Sequence, residues 1–129
     1  MKITTWNILG SNGQHKVRLL KKRIQEDKPT MLLLQETKCV TEVVQECMRK
    51  IWKGCKIFVV DTHGAARGLA IVWHPTQVTM DNFLATPFLL SASFRLNDYG
   101  VNGIITNVYG PNNPREKGPF LDSWVDQQH

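Results

Sequence analysis

The chain has 129 residues, of which 42% are hydrophobic and 21% are charged. These proportions are typical of one globular domain and exclude a disordered tail, a collagen or a repeat array. The longest apolar runs, at 31–34 and 69–73, are far shorter than the roughly 18 to 20 residues that cross a bilayer, so we expect no transmembrane helix. The expected partners do not include a membrane. The amino terminus has no secretory-signal pattern, and three cysteines cannot all pair within one chain. We therefore expect an intracellular protein with reduced thiols, not a secreted one.

The net charge of +5 is concentrated near the amino terminus, because residues 1–28 contain seven basic and two acidic residues. Helical periodicity predicts an amphipathic helix over about 14–27, which Pro29 ends. Its apolar stripe consists of Val17, Leu20 and Ile24, and its basic outer face of Arg18, Lys21 and Lys22. Such a face is typical of an ordinary solvated helix, and it would fit nucleic acid or anionic lipid equally well.

Strands and helices alternate along the first part of the chain. A strand is predicted over 3–9, before the helix over 14–27, and the apolar run at 31–34 predicts a strand covered on both faces. A second helix is predicted over 41–52, with Thr41 as its cap and Glu42 behind it.

Beyond Lys53 the sequence changes to short β-rich segments separated by Gly, Pro, Asn or Asp. The predicted segments are 56–62, 67–74, 77–86, 89–96 and 101–109, and we expect consecutive antiparallel hairpins. A last helix is predicted, beginning after Pro119 or capped earlier by Asn113. The pattern favours a single domain over residues 1–129 and an α/β fold, namely a layered α/β sandwich.

Polar side chains follow two of the predicted strands. Asn7 and Glu36 each lie at a carboxyl end, where open α/β sheets most often bind ligands. If the two strands are neighbours, an amide and a carboxylate lie side by side, and one carboxylate with waters and a substrate phosphate is the usual way of holding Mg²⁺. Alternatively, Asn7 caps the following turn and Glu36 is an exposed residue before the second helix. Tyr109, at the end of a later strand, could donate to phosphate oxygens at the same edge.

Three short motifs carry a family resemblance: residues 6–10 (Trp-Asn-Ile-Leu-Gly), 33–38 (Leu-Leu-Gln-Glu-Thr-Lys) and 107–112 (Asn-Val-Tyr-Gly-Pro-Asn). In this order and spacing they resemble the endonuclease/exonuclease/phosphatase superfamily, in particular the apurinic-like endonuclease domain of plant non-LTR retrotransposons. The resemblance implies a Mg²⁺-dependent phosphodiesterase or DNA endonuclease of retroelement origin, with DNA as partner and a nuclear site of action.

The resemblance also implies roles for individual residues. Asn7, Glu36 and Tyr109 would be catalytic, with Asn7 supporting the metal site and Glu36 as the Mg²⁺ ligand. Tyr109 and Asn112 would contact the phosphate. Gly68 fits the family's glycine-rich turn, whereas Arg67 stands where relatives usually have a second glycine.

The sequence departs from the family in its later motifs, because it contains neither a Gly-Asp-Phe-Asn-like nor a Ser-Asp-His-like segment. His15, His63, His74 and His129 are expected to be surface or turn residues rather than replacements for the family's catalytic histidine. We therefore expect a partial domain, truncated after roughly its first half and weak or inactive alone, with an incomplete set of Mg²⁺ ligands. Alternatives are a noncatalytic nucleic-acid-binding or inert remnant, and a phosphatase of the same superfamily.

The expected truncation has a physical consequence for packing. Losing later strands of a sandwich should leave part of an apolar sheet face uncovered, so we also expect poor solubility or self-association.

Overall fold

Nine helices and strands make up the fold over the residues that the structure describes. The structure is a computed structural model and describes residues 1–7, 14–38, 40–61 and 68–109, with the backbone alone for 14–16. In chain order the elements are β1 (Ile3–Asn7), α1 (Gln14–Asp27), β2 (Met31–Gln35), α2 (Thr41–Ile51), β3 (Lys56–Val60), β4 (Leu69–Trp73), β5 (Val78–Thr86), β6 (Leu89–Leu96) and β7 (Asn102–Val108). The bounds predicted for α1 and β6 are confirmed. The predicted last helix lies outside the described residues.

The strands form two sheets. The first has the order β1-β2-β4-β3, with β1 parallel to β2 and the other pairs antiparallel, and the second is the antiparallel meander β5-β6-β7. The helices cover one face of the first sheet, and the second sheet covers its other face. The predicted layered α/β sandwich is confirmed, with helices, first sheet and second sheet as successive layers.

The two central strands of the first sheet explain this layering. Every residue of β2 and β4 is buried, as expected for strands covered on both faces. Their side chains alternate between two cores. The core between the sheets includes Leu33 and Ile71, and the core beneath the helices includes Leu32 and Val72. The predicted amphipathic stripe of α1 is confirmed, because Leu20 and Ile24 are buried in the helix-side core.

The prediction of consecutive hairpins is wrong at one connection. β3 pairs with β4, and β5, β6 and β7 pair in turn, but β4 and β5 belong to different sheets. The physical reason is burial. The apolar segment of β4 needs cover on both faces, whereas β5 has mostly exposed or half-buried residues. A tight turn leads the chain into the second sheet. In this turn the amides of Gln77 and Val78 donate to His74 O at 3.0 and 3.1 Å.

The cap predicted for α2 is also wrong. Thr41 is the first helical residue, Val40 occupies the N-cap position, and no side-chain hydrogen bond comes from Val40. Instead, Asp61, which directly follows β3, accepts the Thr41 amide at 2.7 Å and the Thr41 hydroxyl through the same oxygen. A carboxylate brought from elsewhere in the fold thus satisfies the helix terminus, where its negative charge is also favourable.

A bulge in β5 adds an aromatic contact to the core between the sheets. The register shifts between Asp81 and Leu84, and Asn82 has a φ of 52°. The bulge allows Phe83 to stack on Phe58, with ring centroids 4.4 Å apart and planes 6° from parallel. It thereby joins the edge strand β3 of one sheet to the edge strand β5 of the other.

Candidate active site

The carboxyl ends of β1 and β2 lie side by side. The strands are parallel, with Asn7 opposite Gln35, so Asn7 lies next to the residue that precedes Glu36. Asn7 is exposed, whereas Glu36 is only 2% exposed. The alternative of an exposed Glu36 is therefore wrong, because this carboxylate lies within the fold at the edge of the sheet.

The backbone around Glu36 departs from regular strand geometry. Its amide donates to Gly68 O at 3.0 Å, which joins it to the residue that enters β4. Glu36 and Lys38 have φ values of 55° and 53°, in the left-handed region that non-glycine residues seldom adopt. Such backbone costs of order 1–3 kcal/mol per residue and clusters at functional sites. Gly68 itself has a φ of 92°, which glycine alone adopts readily.

Two buried amide side chains join the carboxyl ends of β2 and β7. Gln35 Nε2 donates to Asn107 Oδ1 at 3.1 Å and to Val108 O at 3.2 Å. Asn107 Nδ2 donates to Leu34 O at 2.9 Å and to Ala70 O at 3.0 Å. We call this pair, Gln35 and Asn107, the amide bridge. It fixes the end of the second sheet to the edge of the first sheet that leads into Glu36.

The sequence analysis assigns no role to the amide bridge, although Gln35 lies in the motif at 33–38 and Asn107 in the motif at 107–112. The sequence contains a weak indication that both side chains are buried. Gln35 ends an otherwise apolar strand. Asn107 lies two residues after Ile105, so the alternation of side chains along a strand places both on the core-facing side of β7. Pairing between sheets cannot be read from periodicity within one strand, so the partners could be found only in the structure.

Tyr109 follows β7 at the same end of the molecule. Its amide donates to Phe88 O at 2.8 Å, and its half-buried ring lies 5.8 Å from the ring of Phe88. The amide bridge holds the segment that leads into Tyr109, because Val108 O accepts from Gln35. The structure thus brings the segments bearing Asn7, Glu36 and Tyr109 to one edge. Asn112 and Arg67 lie outside the described residues.

Only Glu36 among these groups is a carboxylate that could bind a metal. Within the part of the chain that the structure describes, no three His, Cys, Asp or Glu side chains are grouped closely enough to hold an ion. The carboxylate oxygens of Glu36 are hard donors that fit Mg²⁺, which commonly binds one or two carboxylates and fills its remaining positions with water and phosphate oxygens.

The only histidine side chain within the described residues, His74, lies in a structural setting. Its Nδ1 is 2.8 Å from Thr76 Oγ1 and its Nε2 is 3.3 Å from Lys53 O. The ring also lies 6.2 Å from that of Trp52. These contacts join the turn after β4 to the turn after α2, so His74 acts in local packing. The side chains of His15, His63 and His129 lie outside the described set.

The basic outer face of α1 is exposed. Lys22 pairs with Glu26 at 3.9 Å, and Arg23 pairs with Asp27 at 2.7 Å. Arg18 and Lys21 are exposed and have no ion pair among the described side chains. The helices that the structure describes are too short or too polar to cross a membrane.

The arrangement of sheets is that of endonuclease/exonuclease/phosphatase proteins. A family protein of this kind from Bacteroides thetaiotaomicron has a TM-score of 0.64 at 12% identity, over 99% of this chain and 57% of its own. The endonuclease domain of TRAS1, a telomere-specific non-LTR retrotransposon, has a TM-score of 0.61 at 14% identity, over 98% and 54%. D. rerio TDP2 complexed with a single-strand DNA product has a TM-score of 0.62 at 16% identity, over 98% and 54%.

These comparisons establish the fold and set its extent. At 12–16% identity the likeness is one of fold, and the chain spans between 54% and 57% of the lengths of these three solved structures. No protein-family model matches the sequence, and no curated protein matches it.

Proposed function

We propose that this chain is the amino-terminal part of a Mg²⁺-dependent phosphodiesterase domain that cleaves DNA. The observation that carries the proposal is the joining of the Glu36 and Tyr109 segments by the amide bridge, at the edge where the parallel strands β1 and β2 end. A buried carboxylate, an amide and a phenol at one edge suit recognition of a metal-bound phosphodiester. The fold likeness to the TRAS1 endonuclease domain and to TDP2 with its DNA product supports DNA as the substrate.

Each proposed residue has one chemical task. Glu36 provides the metal ligand, and the Asn7 amide orients that carboxylate. Tyr109 donates its phenolic hydrogen to a phosphate oxygen, and Asn112 provides a second phosphate contact. Mg²⁺, when bound, supplies positive charge that stabilises the charge developing on the phosphate.

We further propose that the 129-residue chain by itself cleaves weakly or not at all. Hydrolysis also requires a positioned water and help for the leaving group, and removing members of a concerted catalytic set costs many orders of magnitude in rate. The later family motifs associated with those tasks do not occur in the sequence. We also propose the nucleus as the site of action, as the resemblance to retrotransposon endonucleases implies.

Nicking of supercoiled plasmid in Mg²⁺, measured on the purified chain, tests this function. Glu36→Ala should remove any nicking, whereas Glu46→Ala should retain it, because Glu46 is an exposed residue of α2 whose contact is an ion pair with Lys50. Circular dichroism must show that all three proteins are folded. Equal nicking by the wild type and Glu36→Ala would refute Glu36 as the metal ligand.

The basic face of α1 supports a second candidate, noncatalytic binding of nucleic acid. Arg18 and Lys21 are exposed cations available for phosphates, and such binding weakens steeply as salt rises. Replacing both with Gln should reduce the affinity for a DNA duplex and the slope of its salt dependence, while Glu36→Ala should leave both unchanged. Mn²⁺ takes the same oxygen ligands as Mg²⁺ and can replace it in a binding measurement. DNA binding of this kind by a folded chain that neither nicks DNA nor binds Mn²⁺ would favour the noncatalytic role.

A phosphatase acting on a small phosphorylated substrate is the alternative within the same fold. A mannosyl-6-phosphatase from Bacteroides thetaiotaomicron matches with a TM-score of 0.64 at 12% identity. Release of inorganic phosphate from a sugar phosphate, lost in Glu36→Ala, would favour this alternative over DNA cleavage.

A further inference from the structure

The amide bridge stands out because it is polar in an otherwise apolar layer. On β2 the side chains facing the second sheet are Met31 and Leu33 before Gln35, and on β7 Ile105 precedes Asn107. Both strands therefore change from aliphatic to amide side chains at the same end. That end leads directly into Glu36 and Tyr109.

We propose that Gln35 and Asn107 are positioning residues, which hold Glu36 and Tyr109 at a fixed separation across the two sheets. This inference rests on the proposed function and names a further part of the same site. Neither amide needs to contact metal or substrate. Their role is to set the position of the groups that do.

The hydrogen bonds of the bridge are saturated on the donor side. Each side-chain amide has two N–H hydrogens, and each nitrogen of the pair has two acceptors. The surroundings of Asn107 determine the orientation of its side-chain amide. If the oxygen and nitrogen exchanged places, the oxygen would face the carbonyl oxygens of Leu34 and Ala70. The bridge therefore permits one alignment of the strands, which aliphatic packing would leave less sharply defined.

The acceptors of the bridge connect three strands. Leu34 O belongs to β2 and Ala70 O to the paired position on β4, while Val108 O belongs to β7. Glu36 lies one residue beyond Gln35, and its amide is bonded to Gly68 O at the start of β4. Loosening the bridge should thus move the Glu36 backbone relative to Tyr109 without removing either side chain.

Burial alone gives no reason for amides at these positions. Asn107 is fully buried and Gln35 is 3% exposed, and burying an amide costs free energy that its hydrogen bonds roughly offset. Aliphatic residues would fill the same layer without needing partners. Directional bonds at the one end that carries the candidate active site are what a positioning role requires.

The test is Mn²⁺ binding by titration calorimetry, in three variants compared with the wild type. Gln35→Met keeps the length of the side chain and removes both donors. Ile105→Val removes a methyl group from the same core of β7, at a position before the bridge, and serves as a control for lost packing. Glu36→Ala reports whether binding occurs at the proposed site. Each titration is made at a temperature where circular dichroism shows the variant to be folded.

We expect Gln35→Met to weaken Mn²⁺ binding by about tenfold, as loss of groups that orient a metal ligand typically does, while Ile105→Val retains the wild-type affinity. Wild-type affinity in folded Gln35→Met would overturn the positioning role alone, as would equal weakening by Ile105→Val. Absence of Glu36-dependent Mn²⁺ binding in the wild type would overturn the proposed function and this inference with it.

A second measurement does not depend on metal. The amides of Glu36 and Tyr109 should exchange with solvent faster in Gln35→Met than in the wild type, because their hydrogen bonds to Gly68 O and Phe88 O lie beside the bridge. The amide of Ala92, in the middle of β6, should keep its protection. Unchanged exchange at both Glu36 and Tyr109 would overturn the inference. If Gln35→Met fails to fold, Gln35→Leu, which is uncharged and also lacks the donors, replaces it in both measurements.

Discussion

Gly103 on β7 lies directly against the ring of Phe94 on β6, so closely that a β-carbon at residue 103 would stand 2.6 Å from Phe94 Cζ. The two residues are opposite each other in the ladder, and Phe94 belongs to the core between the sheets. The ring occupies the space that a side chain on β7 would need. Glycine is therefore required here for packing rather than for backbone freedom.

We expect Gly103→Ala to lower the free energy of unfolding by about 1–3 kcal/mol, the usual cost of overpacking a core. Urea denaturation of the variant measures this loss. Phe94→Leu in the Gly103→Ala background should recover part of it, because the smaller side chain makes room for the methyl group. Costs that simply add in the double variant would contradict a direct clash between the two residues.

Asp61 should stabilise α2 through the hydrogen bonds that it accepts from Thr41. Replacing the carboxylate by Ala leaves the first-turn amide without this acceptor, and loss of a cap typically costs about 1 kcal/mol. Asp98→Ala, in the exposed turn between β6 and β7, is the matched control and should leave stability nearly unchanged. The comparison uses urea midpoints, and equal midpoints for the two variants would refute the capping role.

The Asp61 cap also illustrates what the sequence could and could not predict. Periodicity located α1, β2 and β6 well, because burial follows the repeat of a helix or strand within a single segment. It placed Asn7 and Glu36 at strand ends, which the parallel pairing of β1 with β2 brought to one edge. Asp61 and Thr41, by contrast, are twenty residues apart, and no local pattern connects them.

The same limit applies to the second sheet and to the amide bridge. β-rich composition between turn residues predicted the strands β4 and β5. It could not determine that they belong to different sheets, since a tight turn serves both a hairpin and a crossing between layers. Gln35 and Asn107 are separated by 72 residues. Their pairing depends on how the two sheets pack on each other.

Cys55 provides a prediction about pH. Burial raises the pKa of its thiol, and Arg49 opposes that shift only in part. The folded state therefore holds the thiol proton more tightly than the unfolded chain does. This contribution to stability is fully present below the ordinary thiol pKa and is lost as the pH rises through the higher folded-state value.

The free energy of unfolding of the wild type should accordingly fall relative to that of Cys55→Ser as the pH rises through the alkaline range. Serine is similar in shape and does not titrate there, so changes in other groups cancel in the comparison. Denaturant unfolding at a series of pH values measures the difference. A difference independent of pH would contradict the raised pKa.

Exposed aliphatic side chains on the second sheet predict self-association. Ile104 is 63% exposed on the outer face of β7 and Val101, just before that strand, is 51% exposed. Within the described residues β7 is an edge strand, and an exposed edge beside apolar side chains invites pairing with another copy. We expect the wild type to associate over the micromolar range in sedimentation velocity.

Ile104→Thr keeps a β-branched side chain but removes much of its apolar surface, so it should weaken association. Burying an isoleucine contributes roughly 1.5–3 kcal/mol, and each 1.4 kcal/mol is a factor of about ten in the dissociation constant. Because Ile104 is already partly buried and Thr keeps one methyl group, we expect a weakening of roughly three- to tenfold. Val43→Thr, at an exposed apolar position of α2, should leave association unchanged. A wild type that remains monomeric and unfolds in one sharp transition at these concentrations would contradict the prediction, because the chain would then need no partner for this surface.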